Sequence, residues 1–210
     1  MLTLFVFGSG SCGNCYYLSN GEHALLIDAG VGIRRLKRNV GDYGIKMGHV
    51  RGVLITHDHY DHLDTNAVKI LTGKAGGYTQ MAVGTTLEPF EGIEVEAVPA
   101  YNISPDQLAF HPKERGDAGY IITIAGKRIY VSGDTEDNED VLAIKDIDIA
   151  FVCCNKPFTM TVEQCANVVK AIRPEVFIPY HYGGTDIPTD LDALQESLKG
   201  VTKVLIRPLE

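Results

Sequence analysis

The sequence predicts an α+β fold in which two sheets pack face to face and helices cover their outer faces. Short apolar segments with strand composition recur through the 210 residues, and segments with helical periodicity separate them. About 45% of the residues are hydrophobic and 22% are charged, an ordinary balance for a globular protein with a sizeable core. We expect one domain over residues 1–210, because neither a linker nor a repeat divides the chain.

The predicted elements of the first half are mostly strands. An apolar strand is followed by a Gly- and Ser-rich turn, and "NGE" then separates two strand-like segments in a hairpin. A helix, the short buried strand "GVLIT", a second helix and two more strands come next. The expected bounds are 2–7, 15–19, 23–28, 52–56, 80–83 and 92–99 for the strands, and 33–40 and 64–72 for the helices.

The predicted second half alternates strands with helices. Residues 100–117 are expected to form a long loop, and "YIITIAGKRIYVS" predicts two strands joined by a Gly-containing turn. This order of elements fits two sheets packed face to face with helices outside. The later elements are expected at 148–153, 175–179 and 203–207 for strands, and at 161–172 and 189–198 for helices.

The composition disfavours several classes of protein. A formal net charge of −8 disfavours an extensive nucleic-acid interface, which needs a basic surface. No apolar run reaches the roughly 18–20 residues of a membrane span, and the start of the chain lacks the basic region of a signal peptide. Five cysteines without framework spacing fit reduced thiols, so we expect a cytoplasmic protein. Cys12 and Cys15 are predicted to lie in a turn rather than in a zinc knuckle.

The stretch "ITHDHYDHLD" at residues 55–64 indicates a metal site. It places three histidines and three aspartates directly after an apolar strand. In an extended or turning segment, residues two apart point to the same side, so His57 and His59 can converge on one cation. Asp61 and His62 lie beyond the turn and can converge on a second cation. Imidazole nitrogens and carboxylate oxygens are ligands that zinc-like ions accept.

Further ligands are expected at the tips of other strands, because one loop cannot close two metal sites. Asp134 in "SGDTE" and His181 in "IPYH" each follow an apolar strand, and the Asp134 carboxylate can reach two ions at once. The repeated pattern of an apolar strand followed by a metal-capable side chain favours a dinuclear centre over isolated structural residues.

These motifs resemble those of the metallo-β-lactamase superfamily. "THDHYDH" is similar to its H-x-H-x-D-H signature, and "LLIDAG", "SGDT" and "IPYH" look like its other motifs, in the usual order. The stretch from "VPAYN" to "SGDTE", together with "NKPFTMTVEQ", most resembles a branch of metal-dependent hydrolases akin to the ascorbate-phosphate lactonases. The start, "GSGSCGNCYYL", is more similar to a branch that holds bacterial phosphodiesterases and nucleases.

The resemblance implies a four-layer αββα sandwich with two metal ions. The ligands that it implies are His57 and His59 for the first ion, and Asp61, His62 and His181 for the second. Asp134 is implied to bridge the two ions. Asp28, in "LIDAG", is implied to orient a ligand histidine through its ring N–H.

The third ligand of the first ion departs from the superfamily pattern. Many relatives place a histidine just after the strand that corresponds to "VEAVPA", where this chain has Tyr101 and Asn102. The loop at 100–117 is long enough to fold back and deliver His111, and long loops in compact domains are usually functional. An Asn102 amide oxygen is a weaker ligand for a zinc-like ion. We favour His111 and keep Asn102 as the alternative.

Other polar residues are candidates for the mouth of the site. Lys113 and Lys156 can hold an anionic group of the substrate, or can be ordinary solvated lysines. His23 and His49 are expected at the surface, and Met160 is expected to line the pocket or to start a helix. The candidate pocket residues are Tyr101, Asn102, Lys113, Asn155, Lys156 and Tyr182.

The predicted activity is hydrolysis at a dinuclear metal centre. Two divalent ions, with zinc favoured and manganese or iron as alternatives, can hold a bridging hydroxide near neutral pH and polarise the substrate. Asp61 can orient the nucleophile or carry a proton, and Asp134 is the second predicted catalytic residue. The expected substrate is a small ester, lactone or phosphorylated molecule. Phosphodiesterase or nuclease activity is the first alternative, and a non-catalytic metal-binding relative is the second.

Overall fold

The computed structural model describes residues 1–72 and 81–206. The chain divides into two compact units, one holding the described residues up to Met81 and the other beginning at Ala82. Each unit contains one sheet and its own helices, which confirms the predicted α+β class with two sheets.

The first unit is a four-stranded sheet in the order β1-β2-β3-β4. The first three strands pair antiparallel, and β4 pairs parallel to β3 through a helical crossover. Two helices and a 3-10 turn at Met47–His49 accompany the sheet. The elements are β1 (Thr3–Gly8), β2 (Cys15–Ser19), β3 (Ala24–Ile27), α1 (Ile33–Asp42), β4 (Val50–Leu54) and α2 (Thr65–Thr72).

The core of the first unit forms where α1 covers one face of the sheet. Cys15 and Tyr17, two residues apart on β2, point to this face and pack with Phe7 and Leu26. Leu36 is the one fully buried residue of α1 and joins the same cluster. Each fully buried leucine or phenylalanine stabilises the fold by roughly 1.5–3 kcal/mol, so this cluster fixes α1 on the sheet.

The second unit is a seven-stranded sheet in the order β11-β10-β9-β8-β7-β6-β5. The strands from β5 to β8 pair antiparallel, and those from β8 to β11 pair parallel. The strands are β5 (Thr86–Phe90), β6 (Ile93–Pro99), β7 (Ala118–Ile124), β8 (Lys127–Val131), β9 (Ile149–Cys153), β10 (Val176–Tyr180) and β11 (Lys203–Val204). The helices are α3 (Glu139–Leu142), α4 (Val162–Ile172) and α5 (Leu191–Ser197), with a 3-10 turn at Lys113–Arg115.

Helix α4 shows how local sequence sets an element of this unit. Thr161 and Gln164 form a reciprocal capping box, in which each side chain accepts from the backbone N–H of the other. The helix packs on β9 through its buried face and ends at Arg173, which takes a left-handed conformation. In residues 1–72 and 81–206 no helix is both long and apolar enough to cross a membrane.

Two predicted strands differ from the structure. Residues 81–83 are not a strand, and residue 80 lies outside the described residues; the strand instead covers Thr86–Phe90. This strand is an exposed edge with a proline, so it lacks the apolar alternation that marks a strand in sequence. The last strand covers only Lys203–Val204 of the predicted 203–207, and residue 207 lies outside the described residues.

The parallel strands of the second unit end at one edge of its sheet. Val131 at the end of β8 pairs with Phe151 of β9, and Cys153 at the end of β9 pairs with Tyr180 of β10. The turns that follow these three strands therefore begin side by side. Polar side chains directly after parallel strands meet at this edge, which is where open α/β sheets bind ligands.

Candidate metal centre

Asp28 organises the polar residues of the first unit at the carboxyl end of β3. It has a φ of 58°, a left-handed conformation that aspartate adopts more readily than most residues. Its N–H donates to the Leu54 carbonyl at 2.7 Å, and its carboxylate accepts from the N–H and the hydroxyl of Thr56 at 2.9 and 3.0 Å. These bonds tie the ends of β3 and β4 together.

We call residues 57–62 the metal loop. Two of its imidazole rings, those of His57 and His62, are oriented by contacts to their Nδ1 atoms. His62 Nδ1 lies 2.7 Å from an Asp28 carboxylate oxygen, and His57 Nδ1 lies 3.1 Å from the Thr56 hydroxyl. A carboxylate on the second ring nitrogen is the usual partner of a metal-binding histidine, because it fixes the ring and makes it more basic. Metal binding by these two rings would therefore fall to Nε2.

Asp61 and His59 lie in the same cluster as these rings. His62 Nε2 is 3.6 Å from an Asp61 carboxylate oxygen. The centroid of the His57 ring is 4.7 Å from that of His59 and 4.1 Å from that of His62. His57, Asp61 and His62 are buried, and His59 is partly exposed. The structure thus brings together the four donors that the sequence predicts for this loop.

Asn14 belongs to this cluster, although the sequence did not single it out. Its side-chain Nδ2 lies 3.1 Å from His62 Nε2, and its N–H donates to the Asp61 carbonyl at 2.6 Å. The side chain is buried, and its Oδ1 accepts from the Gly10 N–H at 3.0 Å. The Gly- and Ser-rich turn before β2 therefore supports the metal loop, and an asparagine closing such a turn was the available signal.

Gly30 lets the chain pass directly against the metal loop, and replacing it is expected to be costly. A Cβ at this position would lie 1.9 Å from the Asp61 carbonyl oxygen, which is backbone and cannot move aside cheaply. We expect Gly30→Ala to lower the free energy of unfolding by about 3 kcal/mol, measured by urea denaturation. Gly48→Ala is the control, because a Cβ there meets nothing within 4 Å. Equal stability of the two variants would contradict the close approach.

Three predicted donors of the second unit converge on one carboxylate oxygen. The Nε2 atoms of His111 and His181 lie 3.5 and 3.3 Å from the same oxygen of Asp134. All three side chains are buried. His181 has a φ of 50°, so the backbone after β10 turns sharply at this residue. The structure therefore places His111 beside two strand-tip residues that are far from it in sequence.

A fold in the 100–117 loop delivers His111 to this position. The Asn102 N–H donates to the His111 carbonyl at 2.8 Å, which brings the two arms of the loop together. His111 Nδ1 lies 3.0 Å from the Asp117 carboxylate, and Arg115 pairs with the other oxygen of Asp117 at 3.0 Å. His111 thus has the same carboxylate-on-Nδ1 arrangement as His62, and sequence inspection missed Asp117 as its partner.

The side-chain amide of Asn102, the alternative ligand, is held by the backbone. Its Nδ2 donates to the carbonyls of Gln107 and Phe158 at 3.2 and 2.8 Å. Its Oδ1 is buried and accepts no hydrogen bond from the described residues. Asn102 therefore braces the loop against the segment before α4, while its oxygen is left without a donor.

Glu136 fixes the start of the same loop from a buried position. Its carboxylate accepts from the N–H groups of Ile103 and Ser104 at 2.7 and 2.6 Å and from the Gln164 side chain at 3.2 Å. Burial alone would raise the pKa of Glu136, but the bonds from the backbone and side chain of Ser104 and from Ile103 outweigh burial and lower it. Glu136 lies two residues after Asp134. The turn after β8 therefore holds the predicted donor Asp134 and also anchors the loop that carries His111.

The candidate pocket residues Tyr101 and Lys113 are engaged with each other. Lys113 Nζ lies 3.2 Å from Asp140, donates to the Tyr101 hydroxyl at 3.1 Å, and sits 4.4 Å from the centre of the tyrosine ring. Hydrogen bonds to Tyr101 and Asp140 raise the pKa of Lys113, and desolvation raises the pKa of Tyr101. The lysine charge is thus largely satisfied within the protein.

The other candidate pocket residues lie around the tip of β9. The Asn155 side-chain amide contacts His181 Nδ1 at 3.0 Å, so it touches a predicted donor. Lys156 pairs with buried Glu136 at 3.5 Å. Tyr182 is partly buried, and this burial raises the pKa of its hydroxyl. Asn155 is therefore part of the cluster of the second unit, whereas Lys156 is bound to the residue that anchors the loop.

Residues that the sequence set aside lie apart from these clusters. His23 and His49 are partly exposed, in the β2–β3 hairpin and in a 3-10 turn. Cys12 is exposed and Cys15 is buried, where desolvation raises the pKa of its thiol far above the usual value. Met160 is buried directly before the cap of α4, as expected of a residue that starts a helix.

The donor sets of both units fit divalent metal ions. They consist of imidazole nitrogens and carboxylate oxygens, and in each unit a second carboxylate orients one of the rings. This is the arrangement in which metal-binding histidines are normally held. The potential ligands are His57, His59, Asp61 and His62 in the first unit, and His111, Asp134 and His181 in the second.

Comparison with known proteins gives matches over most of the chain. Residues 12–181 match the family described as "Beta-lactamase superfamily domain". A UPF0173 metal-dependent hydrolase of Pyrobaculum islandicum is 26% identical, over 92% of this chain and 93% of the relative. The crystal structure of a metal-dependent hydrolase from Parabacteroides distasonis is 33% identical with a TM-score of 0.78, covering 100% of this chain and 94% of that one.

A more distant structure matches in fold alone. The metallo-β-lactamase fold protein YhfI of Bacillus subtilis is 13% identical, with a TM-score of 0.77 over 100% of this chain and 98% of its own. At this identity the similarity concerns the fold and not the chemistry. The fold class predicted from the sequence is thereby confirmed.

Proposed function

Because this chain belongs to the metallo-β-lactamase superfamily and is a metal-dependent hydrolase of that fold, we propose that it acts through two divalent ions on an ester, a lactone or a phosphorylated small molecule. Zinc is the favoured metal, and manganese or iron would accept the same nitrogen and oxygen ligands. The observation that carries the proposal is the pairing of His62 with Asp28 and of His111 with Asp117.

The proposed ligands divide between two ions, with Asp134 serving both. The sequence assigns His57, His59 and His111 to the first ion, and Asp61, His62 and His181 to the second. Support for His111 comes from its position beside Asp134 and from the carboxylate on its Nδ1. Asp28 and Asp117 would act as positioning residues, because each holds the Nδ1 atom of a ring whose Nε2 faces another predicted donor.

The chain's own groups would hold the reacting atoms and move protons. When bound, two divalent ions lower the pKa of a water molecule to near neutrality and polarise the oxygen of the scissile bond. Asp61 is buried at 8% exposure beside His62, and we assign it the role of orienting the attacking water and accepting its proton. His57, His62 and His111 are buried, so packing restricts the positions that their rings can take.

A neutral ester or lactone is the preferred substrate class. Lys113 and Lys156, the two lysines that the sequence offered for an anionic group, are paired with Asp140 and Glu136. A phosphate at this position would have to compete with a carboxylate for each lysine. Phosphodiester cleavage is the second candidate, and the specific observation that favours it is the group of exposed basic residues Arg34, Lys37 and Arg38 on α1 of the first unit.

Metal analysis and a substrate panel test this proposal together. We expect about two equivalents of transition metal per chain in protein purified without chelator, and metal-dependent hydrolysis of lactones or nitrophenyl esters. The panel also contains bis-p-nitrophenyl phosphate and single-stranded and duplex DNA. Less than one equivalent of metal after zinc, manganese or iron supplementation would contradict the dinuclear centre. Nuclease activity without lactone or ester turnover would reverse the order of the two substrate classes.

A further inference from the structure

The two units of the chain carry opposite charge. The net charge of −8 arises entirely in the second unit, since residues 1–81 contain eight Lys or Arg and only six Asp or Glu. Residues 82–208 contain eleven Lys or Arg and twenty Asp or Glu. Four of the eight basic residues of the first unit lie within the five positions 34–38 of α1. The chain is acidic as a whole, but helix α1 carries a local cluster of basic residues.

Arg34, Lys37 and Arg38 form one exposed face of α1. They stand at positions i, i+3 and i+4, which are neighbours on a helix surface, and all three are exposed. None of them forms an ion pair or a side-chain hydrogen bond with any residue in the described ranges 1–72 and 81–206. We call these three residues the α1 basic face.

This arrangement opposes the stability of the helix. Like charges at i and i+4 repel, and cations in the first turn are unfavourable beside the positive end of the helix dipole. The first turn of α1 contains Arg34 and Arg35 and no acidic residue, while the last turn contains Asp42 and no basic residue. No side chain caps the helix at Gly32. A charge pattern that is unfavourable for folding points to a role in binding.

An exposed aromatic ring stands at the end of the same helix. Tyr43 follows the last residue of α1 and is 49% exposed. Its ring stacks on Phe5 with centroids 4.3 Å apart and an interplanar angle of 16°. The stack holds the ring in place, so little freedom is lost when a second flat group packs on it. Tyr43 lies nine positions after Arg34, which is about 14 Å along a helix.

The α1 basic face begins close to the metal loop. The Ala29 N–H donates to the His62 carbonyl at 2.8 Å, so this part of the chain touches the loop. Arg34 follows five residues later, which limits its backbone to about 17 Å from that contact.

We propose that the α1 basic face and Tyr43 bind single-stranded nucleic acid. The cations suit the phosphate backbone, and a rigid exposed ring suits an unpaired base, the combination used by proteins that bind single strands. An anionic membrane fits less well, because Ile33, Leu36 and Val40 of α1 already pack into the core and are not available to enter a bilayer. The proposal concerns binding, and it does not depend on the two-metal assignment.

Fluorescence anisotropy of the metal-loaded protein tests this surface. The probe is a labelled phosphorothioate oligothymidine of twenty nucleotides, which resists cleavage. We expect the triple variant Arg34→Gln, Lys37→Gln and Arg38→Gln to weaken binding at least about tenfold and to flatten its salt dependence. Tyr43→Leu should weaken binding of the single strand about fivefold or more. The matched control removes three exposed charges of the second unit, with Lys170→Gln, Lys199→Gln and Lys203→Gln, and should bind within about twofold of the original chain.

Each result either supports or overturns the proposal. Absence of binding by the original chain, or equal binding by the triple variant and the control, would overturn it. Tighter binding of a duplex of the same length would overturn the choice of a single strand, and binding only to phosphatidylglycerol vesicles would overturn the choice of nucleic acid. Should the triple variant fail to fold, as judged by circular dichroism, Lys37→Glu alone must weaken binding for the proposal to stand. Metal content is measured on the same samples. Loss of nucleic-acid binding with unchanged metal content concerns the α1 basic face alone, whereas a low metal content in the original chain contradicts the dinuclear centre.

Discussion

Replacing Asp134 with alanine is expected to lower kcat/KM at least about a thousandfold, whichever substrate class the chain hydrolyses. Asp134 presents one oxygen to His111 at 3.5 Å and to His181 at 3.3 Å, and it is the proposed shared ligand of both ions. Losing it removes a negative charge from a buried cluster and, on the proposed assignment, the ligand shared by the two ions, so both metal affinity and transition-state stabilisation should fall. Initial rates and metal content per chain measure the two effects separately.

A similar loss of kcat/KM is expected when a predicted donor of the first unit is replaced. Replacing an exposed residue that is not a predicted donor should leave kcat/KM nearly unchanged. His57→Ala removes a buried imidazole that packs against the rings of His59 and His62, and we expect a loss of similar size. Asp186→Ala is the control, because this carboxylate is exposed. Activity above about a tenth of that of the original chain in Asp134→Ala would show that this aspartate is structural rather than a ligand.

The second large effect expected is the loss of one metal ion in His111→Ala. His111 is buried beside Asp134, and Asp117 holds its Nδ1, so the imidazole is oriented as in a metal ligand. Asn102→Ala should retain nearly all of its metal, because the Asn102 amide is committed to the carbonyls of Gln107 and Phe158. Metal content should fall from about two equivalents to about one in His111→Ala alone, measured by inductively coupled plasma mass spectrometry.

The remaining outcomes of this pair of variants discriminate between coordination schemes. Metal loss in Asn102→Ala with full retention in His111→Ala would mean that the amide oxygen is the ligand. Full retention in both variants would mean that two histidines, the shared carboxylate and water hold the first ion. Unfolding curves of both variants are needed, because Asn102 also braces the loop, and its removal is expected to cost about 1–3 kcal/mol of stability.

The strands that end at functional residues were predictable because their segments are apolar, although β4 is a partly buried edge strand. An apolar segment such as "GVLIT" or "VFIPY" has the composition of a central strand, and the polar residue at its tip stands out. The strand at Thr86–Phe90 was not predictable, since it is an exposed edge whose residues need no apolar pattern. The four-residue helix α3 was missed because it is too short for a periodic pattern to appear.

The donors of the site were predictable, and their partners were not. The type and spacing of residues such as His57 and Asp61 indicate a metal site. Asp117 and Glu136 are ordinary acidic residues in sequence, and their roles depend on hydrogen bonds to His111 and to Ile103, which the folded loop creates. Lys113 pairs with Asp140, which lies 27 positions later in the sequence. The sequence therefore could not show that the lysine has a carboxylate partner.

The two anchor points of the 100–117 loop define where the protein can be redesigned. Glu136 fixes residues 103 and 104, and Asp117 fixes His111, so the segment 105–110 lies between two clamps. Four of its six residues are exposed, and only Gln107 is buried. A combinatorial library confined to 105, 106, 108 and 109 would vary exposed side chains between these clamps and keep the contact that holds His111. Such a library would change the exposed surface of the loop and leave Gln107, whose carbonyl accepts from Asn102, in place.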